Sequence, residues 1–199
     1  SSQPHVEAWG SSQPHVVARE SSQPHVEASG SCQVQAKGKV RIKAGIFVAI
    51  VAIGALPEIE GGGFTRRVIL DSARDWCDHY GAEIRTVDGV ECALVFKGVN
   101  NSFRAEHREF LYQPGTAPAC DDWDPVPECG NGLHFSPTPL HTHAFCSPKR
   151  YVACLVRLDE IVVHPDGESP QKIKAPRVFA PCWEVDKYGR KIESDEVRS

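Results

Sequence analysis

The sequence predicts a mainly β / α+β protein: an N-terminal short-period β-solenoid followed by a small α+β domain. Three observations predict it. The chain opens "SSQPHVEAWG SSQPHVVARE SSQPHVEASG", three near-copies of ten residues, and continues "SCQVQAKG". Val and Ala recur two apart in each copy, as Val6/Ala8, Val16/Ala18, Val26/Ala28 and Val34/Ala36. "GGG" at Gly61 to Gly63 then ends the single short repeat and opens a stretch of mixed elements.

A spacing of two puts both apolar residues on one face of an extended strand. The interleaved Glu7, Trp9, Arg19, Glu27, Gln35 and Lys37 should face water. Aligning residues 21–30 with 31–38 removes Pro24-His25, so the unit reads as an octad, S-x-Q-V-x-A-x-G, with Pro-His inserted in some copies. Three units would form one triangular coil, giving about two coils over residues 1–54. A helix is excluded because Pro recurs within each decad and no apolar stripe repeats at three-to-four spacing. Disorder and an antiparallel meander are the competing readings of this composition. The expected division is repeats over 1–60, a Gly hinge over 61–63 and an α+β domain over 64–199.

Composition narrows the class. A net charge of −4 with both signs mixed leaves no basic footprint for nucleic acid. The longest apolar run, "GIFVAIVAIGAL", has twelve residues, too few to span a bilayer as a helix. It lies too far from the start to be a signal-like core, which leaves the location unknown, with cytoplasm and virion both open. The run reads as the buried end of the solenoid, covered on both faces by the second domain or by sister chains. The chain starts at Ser1 and contains no Met, which suggests further repeats upstream. Eight cysteines with no C-x-x-C pair favour free, buried thiols, with Cys120 and Cys129 the first pair to check for a disulfide.

In the second part, "FTRRVIL" reads as a strand and "SARDWCDHYG" as a helix capped by Ser72 and ended by Gly81. "AEIRTVDGVECALVFKGV" is two alternating runs around Asp88-Gly89, a hairpin. "HREFLYQPGT" suggests a strand, "APACDDWDPVPECGNG" a loop and "LHFS" a short strand. "TPLHTHAF" suggests a short helix with Thr138 as cap and Pro139 in its first turn. "RYVACLVRL", "EIVVHP" and "PRVFAPCWEV" complete the strands.

The segments "ALVFKGVNNSF", "ECGNGLHFSPTPLHTHAF", "RYVACLVRLDEIVV" and "PQKIKAPRV" resemble a family of phages and actinobacteria built on a domain of unknown function. The likeness covers roughly residues 70–188, and its most specific piece is Cys-x-x-Gly-Leu-His-Phe-Ser-Pro, from Cys129 to Pro137. It implies a fold neighbourhood, often flanked by short-period β repeats, and no activity. The members resembled lack the counterparts of His141 and His143.

Two chemistries deserve weighing. Cys129, His134, His141, His143 and Cys146 are soft ligands in one window. A zinc set would draw on Cys129, His134, His143 and Cys146, yet C-x4-H-x8-H-x2-C matches no common zinc module, so no metal or other cofactor is called for. The second likeness is to ADP-ribosyltransferase-like enzymes. Lys97-Gly98, Gly132-Leu133-His134-Phe135-Ser136 and the helix bearing Phe145 look like that arrangement. That likeness implies Lys97, His134, Ser136 and Glu160 as catalytic candidates acting on a dinucleotide, with Glu168 the other carboxylate. The plainer reading of Gly-Leu-His-Phe is a buried strand after a tight turn. No nucleophile elbow or phosphate loop occurs, and "CDDWD" reads as a solvated acidic loop.

The leading expectation is a structural or interaction protein, its stem assembling with other copies through the N-terminal repeats and the apolar segment from Ile46 to Leu56. A phage particle component suits the resemblance. The dinucleotide enzyme is the competing class.

Overall fold

A computed structural model of the chain describes residues 4–18, 23–54, 56–108, 110–128, 130–164 and 169–193. The chain forms two compact units, Ser1–Asp71 and Ser72–Ser199.

The first unit is a β-solenoid of about four turns. Its strands are β1 (His5–Ala8), β2 (His15–Val17), β3 (His25–Ala28), β4 (Gln33–Lys37), β5 (Arg41–Ala44), β6 (Ala49–Ile53), β7 (Glu58–Gly61) and β8 (Phe64–Val68). Odd strands form one parallel sheet, β1-β3-β5-β7, and even strands the other, β2-β4-β6-β8. Each turn therefore holds two strands rather than three. Val26, Ala28, Val34, Ala36, Ile42, Ala44, Ile50 and Ala52 are buried between the sheets. Side chains this small let two sheets meet face to face, so the coil is two-sided and not triangular. The alternation of Val and Ala is thus the core, as the two-residue period predicts.

Register corrects the reading of Pro-His as an insertion. Val16 sits beside Ala36, not Val34, and His15 sits beside Gln35. His5, His15 and His25 each begin a strand. The preceding prolines serve the sheets: the carbonyls of Pro4, Pro14 and Pro24 accept from the N–H groups of His25, Gln35 and Arg41 at 2.9–3.0 Å. Proline at a strand's entry loses nothing by lacking an N–H, because its carbonyl alone enters the ladder. The length difference lies elsewhere. His25 follows its partner His5 by twenty residues, but Arg41 follows His25 by sixteen. Seven residues separate Val17 from His25, against three between Lys37 and Arg41, so the difference of four falls between β2 and β3. Gly38 in the shorter corner has φ +80, and a Cβ there would stand 2.6 Å from the carbonyl oxygen of Ala18.

Gly61 ends β7, and Gly62-Gly63 is a corner of the solenoid rather than a hinge. β8 follows it and pairs in parallel with β6, so the compact unit continues to Asp71. "FTRRVIL" accordingly belongs to the stem. The apolar run is the third turn rather than the end: Val48, Ile50, Ala52 and Ile53 are buried, whereas Ile46, Phe47 and Leu56 are exposed.

The second unit has a short helix and two antiparallel sheets. α1 (Ala73–Tyr80) starts where Ser72 Oγ accepts from the Asp75 N–H at 3.1 Å and stops at Gly81, φ 67. β9 (Ile84–Val87) and β10 (Val90–Val99) form the hairpin, with positive φ at both Asp88 and Gly89. β11 (Leu133–Phe135), β12 (Arg150–Arg157), β13 (Val162–Val163), β14 (Ile173–Ala175) and β15 (Ala180–Val185) follow. The sheets are β15-β12-β10-β9 and β11-β14-β13. Their shared core includes Trp76, Val95, Tyr112, Phe135, Cys154 and Ile173. Trp76 is anchored by its indole N–H on the Pro170 carbonyl at 3.0 Å.

"HREFLYQPGT" forms no strand among the described residues, only an isolated bridge between Arg104 and Leu111. "TPLHTHAF" is a single 3-10 turn, Leu140–Ala144, preceded by Thr138, whose Oγ1 accepts from the His141 N–H at 3.3 Å. Cys32, Cys77, Cys92, Cys120, Cys146, Cys154 and Cys182 are free thiols. Cys129, and with it the pairing with Cys120, lies outside the described residues. Among the described residues no helix is long and apolar enough to cross a membrane.

Ile50 has no exposed surface and sits between Val34 and Thr65 of the adjacent turns. Ile50→Ala should cost about 2–5 kcal/mol, read as a lower denaturant midpoint of the solenoid's circular dichroism. The half-buried, outward Val51→Ala should cost less than about 1 kcal/mol.

A basic cleft as candidate functional site

The site grows from the junction of the two sheets in the second unit. β10 carries Lys97 and Gly98, β11 carries His134, and the backbones of Phe96 and Ser136 exchange hydrogen bonds at 2.8 and 2.9 Å. That bridge brings the Lys97-Gly98 and Gly132 to Ser136 segments side by side. Gly98 is required by packing: a Cβ there would lie 2.8–2.9 Å from Cys146 Sγ, Pro148 Cβ and Thr142 Oγ1. The 3-10 turn thus rests directly on the β10 backbone. Gly132, φ +102, leaves room for the Trp123 ring, whose atoms would meet a Cβ at 2.9 Å.

Between these elements lies a cleft of about 400 Å³, lined among others by Lys97, Arg108, Phe110, Tyr112, His134 and Lys172. A narrower inner recess of about 50 Å³ shares Lys97, His134, Phe145 and Lys172, and adds Ser136, Cys146 and Glu106. Lys97 Nζ donates to the His134 carbonyl at 2.9 Å and stands 5.6 Å from the centre of the Tyr112 ring. Lys172 Nζ lies 5.4 Å from the centre of the Phe145 ring. Arg108 is held at the rim by Asp122 and by Asn131 Oδ1, the latter at 2.8 Å.

Burial dominates the electrostatics. It pushes the Lys97 amine down to about 8, with Lys172 adding to the effect and the thiols of Cys146 and Cys154 opposing it. Burial, then the positive fields of Lys172, Lys97, His164 and Lys174, push His134 down to about 3. The His134 imidazole is therefore neutral at physiological pH. Its Nε2 is buried without a hydrogen-bond partner, and its ring stacks on His164 at 6.2 Å and 22°. Burial also raises the Tyr112 hydroxyl and the Cys146 thiol, keeping both protonated.

Of the residues predicted for catalysis, Lys97, His134 and Ser136 meet at this cleft. Glu160 is held elsewhere, in the 3-10 turn Leu158–Glu160. Its carboxylate accepts from Arg177 at 2.5 and 3.2 Å and lies 3.7 Å from Arg157. Glu168 lies outside the described residues.

Within the soft-ligand window, His143 and Cys146 are engaged with other partners. His143 Nε2 bonds the Tyr151 hydroxyl at 2.7 Å, and Cys146 Sγ faces the carbonyls of Thr142 and Gly98 at 3.4 and 3.9 Å. Cys129 is outside the described residues, among which no three His, Cys, Asp or Glu groups gather as a metal site. The acidic loop is internally engaged, with Asp122 on Arg108 and Asp124 on the Val126 N–H at 3.0 Å.

Glu106 and Lys172 are among the lining residues that escaped the sequence reading. Glu106, whose Oε2 accepts from the Ser147 N–H at 3.0 Å, comes from a loop with no periodic signal. Lys172 opens the Lys-Ile pair of "PQKIKAPRV", a signal that was present in the resemblance but carried no assigned role.

Fold and cleft together define a mostly β protein, a β-solenoid and a sheet-rich domain with a basic, ring-lined cleft. A domain of unknown function, DUF7666, is found at residues 93–189. That stretch runs from β10 to just past β15, so it contains the cleft residues Lys97, His134, Ser136 and Lys172 and leaves out the solenoid. No curated protein and no solved structure matches the chain.

Two pH effects follow. The unfolded chain holds the Lys97 proton up to about 10.5, whereas the folded chain releases it near 8. The folded state therefore bears the cost of a buried charge below pH 8 and is relieved between 8 and 10.5. Lys97→Met should stabilise at pH 7 by roughly 1–2 kcal/mol, a gain that fades towards pH 10.5, measured by denaturant unfolding at both pH values. His134 has a dependence of the same sign in a lower window. Its neutral ring contributes fully above about 6.5, and that contribution is lost as pH falls towards about 3. His134→Phe should flatten the acid limb of the stability curve.

Proposed function

We propose that the protein is a structural or interaction protein whose β-solenoid stem self-associates and carries the sheet-rich domain, as a component of a phage particle or an accessory to one. The β-solenoid and the domain of unknown function are consistent with a structural or interaction role. One corner of the stem carries the self-association reading. Trp9 lies between β1 and β2, Ile46 and Phe47 lie between β5 and β6, and Phe64 opens β8 after the corresponding corner. These four are 62%, 73%, 75% and 71% exposed. Large apolar side chains grouped on a regular surface gain about 25 cal/mol for each Å² removed from water, and a second copy supplies a matching surface. The outermost strands β1, β2, β7 and β8 add parallel-sheet edges suited to strand pairing.

Light scattering during size exclusion should give a mass above that of one chain for the full protein. Phe47→Glu together with Phe64→Lys should bring it to one chain without loss of circular dichroism. A single-chain mass for the unsubstituted protein at tens of micromolar would rule out the self-associating stem.

A second reading is an ADP-ribosyltransferase-like enzyme, favoured by the backbone bridge that sets Lys97-Gly98 beside Gly132 to Ser136. In that reading a cation near a pyrophosphate and a ring beside the nicotinamide suit glycosyl transfer. The carboxylate role moves from Glu160 to Glu106, which lines the inner recess. Release of nicotinamide from NAD, abolished by Glu106→Gln, is the expected result for this class. No release above the rate in buffer would exclude it.

A further inference from the structure

We propose that the cleft between β10, β11 and the 3-10 turn binds one nucleotide: a phosphate held by Lys97 and Lys172, with the base against the rings beside them. The inference goes beyond the stem reading. It concerns the same cleft as the enzyme reading and needs no glycosyl transfer.

Four observations converge. Lys97 and Lys172 line both the outer cleft and the inner recess, which puts two lysines on the walls of one ligand-sized space. No carboxylate is among the described residues lining the outer cleft, and Lys172, Lys97, His164 and Lys174 all place a positive field on His134. A bound phosphate would offset that field, and charge-assisted bonds to phosphate are strong ones for lysine. Phe110 and Phe145 are half-buried in the walls, giving a flat ring system an apolar surface. His134 Nε2, buried and without a partner, offers one directional polar contact, donating or accepting according to tautomer.

Size selects one nucleotide over two. About 400 Å³ falls at the low end of the roughly 300–1,000 Å³ range of small-molecule pockets, room for a base, a sugar and a phosphate. Inorganic phosphate alone would leave the ring surfaces wet, and a nucleoside alone would bring no charge to the two amines. Affinity should therefore require both halves of the ligand.

Isothermal titration calorimetry on the full chain tests this with AMP, GMP, UMP, adenosine, inorganic phosphate and NAD. At least one mononucleotide should saturate below about 1 mM, and should bind at least tenfold tighter than adenosine or phosphate. Lys97→Met and Lys172→Met should each weaken it about tenfold or more, with thermal unfolding confirming that both variants fold. No saturation by any mononucleotide at millimolar concentration would overturn the inference. So would phosphate binding as tightly as the nucleotide, or affinity unchanged in both variants. Mononucleotide binding without nicotinamide release from NAD supports this inference while ending the enzyme reading. NAD cleavage with no mononucleotide binding does the reverse.

Discussion

Stacking of small side chains between two parallel sheets is the constraint on which the stem depends. Every inward position must meet its counterpart one turn away, because a slip of one residue would turn Val and Ala outward and bring His, Glu and Gln into the core. The columns obey this: Val26 lies beside Ile42, Ala28 beside Ala44, and Val34 beside Ile50. Registration, not strand count, sets where the chain can vary. The chain between β2 and β3 is four residues longer than that between β4 and β5, yet the strands on either side stay in column.

The second unit works by a different economy. Its core is built from large side chains such as Trp76, Tyr112 and Phe135 rather than from a repeat. Two antiparallel sheets meet at the backbone bridge between Phe96 and Ser136, and the cleft is a consequence of that meeting. Burying Lys97 in its wall works against stability. The amine keeps a hydrogen bond to the His134 carbonyl, but its charge loses hydration and faces Lys172. A buried amine, a neutral histidine and a protonated thiol share that recess with the Glu106 carboxylate.

Glu160 illustrates how a linear motif misleads. Its carboxylate was the nearest candidate in sequence order after the Gly-Leu-His-Phe segment, yet Arg177 and Arg157 claim it. Glu106 reached the recess from a loop that no periodicity marks. Long-range strand pairing decides such placements, because β10 and β11 meet only after more than thirty residues of intervening chain have been accommodated.

The sequence by itself determined what is local: the alternating strands of the repeat, the helix between Ser72 and Gly81, the hairpin at Asp88-Gly89 and the separation into a repetitive part and a mixed part. Each of these follows from spacing, capping or turn chemistry within a few residues. Tertiary structure alone decided two strands per turn, the register that places Val16 beside Ala36, the inclusion of β8 in the stem, and the company of Lys97. Those outcomes depend on which backbone lies against which over distances of sixteen to tens of residues. At that range, side-chain size and sheet pairing act on the whole chain at once, and no short window of residues contains them.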